Sequence, residues 1–209
     1  MTKNWDDIKW IFRPNGSLRD IYIQDVTLLD WERLIDLLNS TYDLKFGEDA
    51  ERVINKDQVI EYLKDETGEV EGKSLKIYSR GFTIHCHFFL AEQIEFDVDP
   101  KEIESMQDFE ELEKFMTSIS RALSHQVTLT EENMPELPLI KIDVEKGVYK
   151  ILSQDELNKI LNRQKSTFYS LIGLFTVFKM RFFPSLFRNK LLKSANELHR
   201  PTGKNKNIW

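Results

Sequence analysis

The sequence predicts an α+β fold: a largely antiparallel sheet of hairpins covered by helices, with a C-terminal helical appendage that is apolar and basic. Three observations carry this. Residues 82–99 alternate apolar and polar side chains on either side of a tight turn, the period of a half-buried strand pair. Residues 105–124 place Met106, Phe109, Leu112, Phe115, Met116, Ile119 and Leu123 on one stripe, opposite Glu110, Glu111, Glu113 and Lys114, which is the pattern of a helix that buries one face. The charge then reverses along the chain. Residues 1–160 hold 19 Lys+Arg against 34 Asp+Glu, and residues 161–209 hold 10 against the lone Glu197.

Taken in order, residues 8–26 read as a β-hairpin. Ile8 to Phe12 is a short apolar run, and Asn15-Gly16 is a strong turn signal because both residues tolerate positive φ. In the second strand Ile21 and Ile23 face one way, Tyr22 and Gln24 the other. Thr27 caps a helix, with Asp30 at its third position in the manner of a capping box. Leu28, Trp31, Leu34, Ile35 and Leu38 form its inner face. Residues 41–56 read as an irregular connection. Asn55 or Asp57 caps a short helix with Val59, Ile60 and Leu63 turned inward, and residues 65–73 form a polar loop.

Strands return with Leu75 and Ile77, closed by Arg80-Gly81. Phe82, Ile84, Cys86, Phe88 and Leu90 then alternate with Thr83, His85, His87 and Phe89. After a turn near Ala91-Glu92, Ile94, Phe96 and Val98 alternate with Glu95, Asp97 and Asp99, and Pro100 stops the ladder. Beyond the long helix, Val127 to Leu129 is a short strand. Ile140, Ile142 and Val144 alternate in another, which turns at Gly147 into Tyr149 and Ile151. Six or seven strands result. Leu157, Ile160 and Leu161 then take helical spacing. The domain division is an acidic α+β body over 1–152 and a helical apolar and basic region over 153–209.

A chain of 209 residues buries a core without a disulfide or metal. The single cysteine, Cys86, allows no intramolecular disulfide and fits a reducing compartment. The N-terminus has no apolar signal core, so the expected location is cytoplasmic. The apolar block Phe168–Phe178 is interrupted at Lys179 and Arg181, whereas spanning a bilayer takes roughly 20 apolar residues. A membrane-crossing helix is therefore not expected. The acidic body opposes nucleic acid, which is not an expected partner.

The hairpin of 82–99 holds the sharpest candidate chemistry. His85 and His87 lie two apart on a strand and share a face with Glu95 and Asp97 if the register aligns them. Those four could ligate a divalent metal or do acid–base work. The alternative is ordinary polar pairing on the wet face of a sheet. No cofactor is otherwise expected, because phosphate-binding glycine loops and G-x-S-x-G, H-E-x-x-H and C-x-x-C motifs are all missing from the sequence. Cys86 alternates with core residues and has no basic neighbour on its own face, a poor setting for a nucleophile.

The acidic surface points instead to a protein partner of basic charge. Glu95, Asp97, Asp99, Glu110 and Glu113 are its candidate contacts. In the C-terminal region Phe175, Phe178, Lys179, Arg181, Phe182, Phe183, Phe187 and Arg188 interleave aromatic and cationic side chains. That pattern suits a helix docked on the acidic body or a helix on a membrane surface.

The stretch Gly16-Ser17-Leu18-Arg19-Asp20-Ile21-Tyr22-Ile23 and the stretch Phe109 to Ile140, with its Leu129-Thr130-Glu131-Glu132-Asn133 run, resemble small bacterial proteins of the immunity type. Such proteins neutralise toxins by masking their active surfaces. The resemblance covers about a third of the chain and carries no functional residue with it. The leading expectation is thus a non-enzymatic binding protein that masks a toxin or other basic partner. The alternatives are a regulatory or defence protein held at a membrane surface through 166–195, and a metal-dependent hydrolase using His85 and His87.

Overall fold

The β1 strand, Arg19–Gln24, lies inside the sheet and not at the end of a hairpin. A computed structural model of the chain describes residues 3–48 and 50–163. Eight strands form one sheet in the order β2-β3-β4-β5-β1-β6-β7-β8, and every adjacent pair is antiparallel. The other strands are β2 (Asp43–Phe46), β3 (Leu75–Tyr78), β4 (Thr83–Leu90), β5 (Gln93–Val98), β6 (Val127–Glu131), β7 (Pro138–Asp143) and β8 (Val148–Ile151). The helices are α1 (Trp5–Ile8), α2 (Leu28–Thr41), α3 (Lys56–Lys64) and α4 (Met106–Leu123), with short 3₁₀ segments at Lys9–Phe12 and Pro100–Glu102. The α+β class is therefore as the sequence predicts, and the sheet is wholly antiparallel.

Two sequence expectations are corrected. Residues 8–12 are helical, because β1 is flanked by β5 and β6 on both edges and leaves no edge for them to pair with. A stretch of five residues, four of them apolar, cannot by itself separate strand from helix. The deciding pattern lies in Trp5, Ile8, Ile11 and Phe12, which recur every three or four residues. Asn15-Gly16 still makes its turn: Gly16 has φ +90°, and Asn15 Oδ1 accepts from Ser17 N at 3.1 Å. That turn joins the 3₁₀ segment to β1. The second correction is β2, in the stretch read as irregular. Leu44 and Phe46 are buried while Asp43 is exposed, an alternation too short to stand out. It brings the strand count to eight.

The helices cover one face. Thr27 and Asp30 cap α2 reciprocally, with Asp30 Oδ2 accepting from Thr27 N at 2.9 Å and Thr27 Oγ1 from Asp30 N at 3.3 Å. Ser105 and Asp108 do the same for α4. The amphipathic stripe of α4 is buried from Phe109 to Leu123, and the helix packs on β6, β7 and α2. Phe115 meets Phe96 of β5 edge to face at 5.3 Å, so the long helix and the period-two hairpin share one core. Among the described residues no helix is long and apolar enough to cross a membrane. The chain divides between Gln154 and Asp155 into two units. Residues 155–163 of the second are described, and they are helical. The candidate docking residues Phe175, Phe178, Lys179, Arg181, Phe182, Phe183, Phe187 and Arg188 lie outside the described residues.

Arg19 points into the core at 2 % exposure. Its guanidinium is held by backbone carbonyls: Nε donates to Ile11 O at 2.6 Å, Nη2 to Arg13 O at 3.1 Å and Nη1 to Leu18 O at 2.9 Å. The first two are carbonyls at the end of the 3₁₀ segment and the third directly precedes β1, and a buried carbonyl without a donor is costly. Arg19→Met is expected to lower stability by about 3 kcal/mol. Urea unfolding followed by tryptophan fluorescence checks it. Arg19→Lys should recover little of the loss, because an ammonium cannot reach all three carbonyls at once.

Candidate functional site

Alternation along β4 and β5 sends Ile84, Cys86 and Phe88, and Ile94, Phe96 and Val98, into the helix-covered core, where all six are buried. The other face of the sheet therefore receives His85, His87, Glu95 and Asp97. The register aligns them: His85 lies opposite Asp97 and His87 opposite Glu95. On the next strand Asp20 lies opposite Asp97, and Tyr22 opposite Glu95. Three carboxylates, two imidazoles and a phenol thus occupy two neighbouring cross-strand rows.

Both histidines bind the same carboxylate. His85 Nδ1 lies 3.1 Å from Asp97 Oδ1, and His87 Nε2 hydrogen-bonds Asp97 Oδ2. Burial works to raise the Asp97 carboxyl, but hydrogen bonds from His87 and His85 outweigh it and hold the group below its usual range. The Asp97 bond raises His87 against the opposing effect of burial. The other two carboxyls shift the opposite way. Burial raises Asp20, although Asn133 N donates to its Oδ2 at 2.7 Å and Tyr22 Oη at 2.8 Å. Burial also raises Glu95, and the charge of Asp20 adds to it. Among the described residues no Lys or Arg pairs with Asp20, Glu95 or Asp97.

A bulge shapes the end of this face. The pairing of β4 with β5 shifts between His87 and Leu90, so Phe88 and Phe89 together oppose Ile94. The extra residue turns Phe89 onto the imidazole of His87, ring on ring at 4.8 Å and 11°. Phe89 remains 63 % exposed and Leu90 52 %. Leu90 lies opposite Gln93, on the polar side of β5. A large apolar pair thus stands at the rim of a carboxylate-rich field.

The sequence-predicted residues separate into distinct places. His85, His87, Glu95 and Asp97 come together as the alternation implied. Among the described residues no group of three or more His, Cys, Asp or Glu side chains is arranged to hold a metal ion; the two imidazoles are turned onto Asp97 instead. Asp99 caps the 3₁₀ turn that follows β5, accepting from Lys101 N at 2.9 Å. Glu110 is exposed on α4, and Glu113, on the same helix, pairs with Lys3. Both belong to the helical layer, so the five partner-contact candidates do not form one surface. Cys86 is buried, and burial pushes its thiol well up.

Sequence reasoning missed Asp20 and Tyr22. Their phase along β1 was readable, since both alternate with Ile21. Their neighbours were not, because β5 lies some seventy residues further along the chain. No protein-family model, no curated protein and no solved structure matches this chain.

The His85–Asp97–His87 clamp carries a pH signature. His87, raised in the folded state, contributes stability that is complete below its unfolded value of about 6.5 and is lost as pH rises through the higher folded value. Asp97, depressed, contributes stability that is present above about pH 4 and is lost as pH falls through its folded value. Asp97→Asn should therefore cost most between about pH 4 and 6.5, roughly 1 kcal/mol for a half-exposed pair. The cost should shrink towards alkaline pH. Denaturant midpoints of both proteins across that range, with imidazole titration by NMR, check it.

Proposed function

We propose that this chain is a non-enzymatic protein-binding module that captures a basic partner on the polar face of its sheet, in the manner of a bacterial immunity protein masking a toxin. The observation that carries the reading is the exposed Phe89, stacked on His87, beside three carboxylates with which no Lys or Arg among the described residues forms an ion pair. An aromatic anchor next to desolvated charge is the composition of an interface hot spot. A cationic side chain arriving from a partner would find Glu95 half-buried and already raised by its surroundings. It would relieve the repulsion between Asp20 and Glu95. The acidic balance of residues 1–160 supports the same reading, because it would steer a basic protein towards the face and speed encounter. The cytoplasmic profile read from the sequence fits a protein that protects its own cell.

The repulsion also separates a binding role from a structural one. A carboxyl whose folded pKa is raised lowers stability once pH exceeds its unfolded value. Glu95→Gln should therefore stabilise the free protein at neutral pH by a few tenths of a kcal/mol, the scale of a partly exposed charge. If Glu95 were structural, the same change would destabilise. Thermal unfolding of the two proteins at pH 7 and pH 4 decides between these, with the gain expected only at pH 7.

Binding itself is tested by titrating the purified chain against the protein encoded beside its own gene. Phe89→Ala should weaken capture by about tenfold or more. Glu95→Gln should slow association and flatten its salt dependence. The proposal fails if that protein does not bind and cells expressing it gain no protection. It fails equally if binding is unchanged by both substitutions.

A further inference from the structure

β4 is twice the length of β3, and the difference opens a cavity. The β3–β4 register ends at Leu75 opposite Cys86, while β4 continues to Leu90. The chain ahead of β3 cannot follow it. Gly47 N donates to Ser74 O at 2.9 Å and holds Ser74 towards the turn after β2. Gly72 is pressed on Tyr62 so closely that a Cβ there would stand 2.9 Å from the ring. The space left between residues 72–74 and the free half of β4 is about 320 Å³, at the lower end of the range for small-molecule sites.

The charge of this cavity is the reverse of its surroundings. Lys73, Lys76, His85 and His87 line it, and no Asp or Glu does, in a body where acids outnumber bases by 34 to 19 over residues 1–160. Three of the four are committed: Lys73 to Glu51 at 3.2 Å, and both histidines to Asp97. Lys76 makes no ion pair among the described residues. It lies directly opposite Lys45 across the β2–β3 pair, an unfavourable arrangement of like charges. Apart from Ser74 the rest of the lining carries no strongly polar side chain, and it includes the rings of Tyr62, Phe88 and Phe89. The adjoining cavity of about 220 Å³ shares Tyr62, Lys73 and Phe88 but carries Glu61 and Glu71. An anion is therefore suited to the first space and not to the second.

We infer that this cavity binds a small organic carboxylate with an aromatic or other apolar body. Its carboxylate would bind Lys76 and relieve the Lys45–Lys76 repulsion, and its apolar part would lie against Tyr62, Phe88 and Phe89. The inference does not depend on partner capture, since Lys76 and Lys45 have no part in that reading.

The probe is 4-phenylbutyrate, with the uncharged 4-phenylbutyramide as its control, titrated into the full chain and followed by amide NMR. Expected are shifts at Ser74, Lys76, Cys86 and Phe89, with the amide bound about tenfold more weakly than the acid. Lys76→Met should bring the acid down to the affinity of the amide and leave the amide unchanged, and Lys76→Arg should restore the difference. Lys76 is exposed, so neither substitution threatens the fold. Equal affinity of acid and amide, shifts mapping elsewhere, or an absence of shifts at the solubility limit of the probe would each overturn the site. Phe89 borders both, so partner capture is distinguished by the Glu95 variant and the cavity by the Lys76 variants, and failure of one reading leaves the other standing.

Discussion

The double pairing of β1 is the constraint on which the rest of this structure depends. Arg19–Gln24 is the first strand in the chain and an interior strand of the sheet, bonded to β5 on one edge and β6 on the other. Arg19 to Ile23 are all buried. A strand in that position cannot leave polar groups to water, so each one it carries must be answered within the protein. Arg19, on the core side, is answered by carbonyls of the preceding segment. Asp20, on the other side, is answered by Tyr22 and by the backbone of Asn133. The N-terminal helical segment and the loop that follows β6 are both held in place by β1 side chains. The strand thus organises both faces at once.

The same burial sets the electrostatics of the polar face. Where Asp20, Glu95 and Asp97 meet on adjacent strands, Asp97 alone among the three is hydrogen-bonded by imidazoles, those of His85 and His87. It alone is held below its ordinary range, while Asp20 and Glu95 are raised. Burial works to raise all three, and the hydrogen bonds from His87 and His85 reverse it for Asp97 only. A fold that needed these groups only for solubility would leave them in water, where carboxylates contribute most to solubility and cost least. Here they are drawn into the middle of the sheet, and the repulsion between them remains as an unspent interaction.

Local signals in the sequence were legible and distant ones were not. The capping box at Thr27 and Asp30, the stripe of α4 and the alternation of β4 and β5 are fixed by residues within a few positions of one another, and each appears in the structure as its pattern implies, except that the bulge puts Leu90, expected in phase with the core residues, on the polar side. The hairpin expected at 8–26 failed because the strand partner of β1 is chosen by residues near 95 and 130. No turn signal at Asn15-Gly16 can report on them. β2 escaped notice because four residues give only two periods of alternation. At the candidate site, the shared face of His85, His87, Glu95 and Asp97 followed from period two and a tight turn. The contribution of Asp20 and Tyr22 required the strand order. The bulge at Phe88 and Phe89 required the register, and without it Phe89 reads as a defect in the polar face rather than as a ring stacked on His87.

That bulge also explains how one face can hold two opposite chemistries. Across the sheet the cross-strand row runs Lys45, Lys76, His85, Asp97, Asp20. Among the described residues Lys45 and Lys76, at one end, make no ion pair, and Asp20, at the other, pairs with no cation. Brought into direct contact, the two ends would neutralise each other and neither would be available to a ligand. The histidines prevent this. They occupy the position between lysines and carboxylates, and they satisfy Asp97. Phe89, turned back on His87 by the extra residue, stacks against the imidazole and fixes the ring that completes the divide. The clamp therefore stands between the basic cavity beside β3 and the acidic field on β5 and β1, and only β4 lies between them.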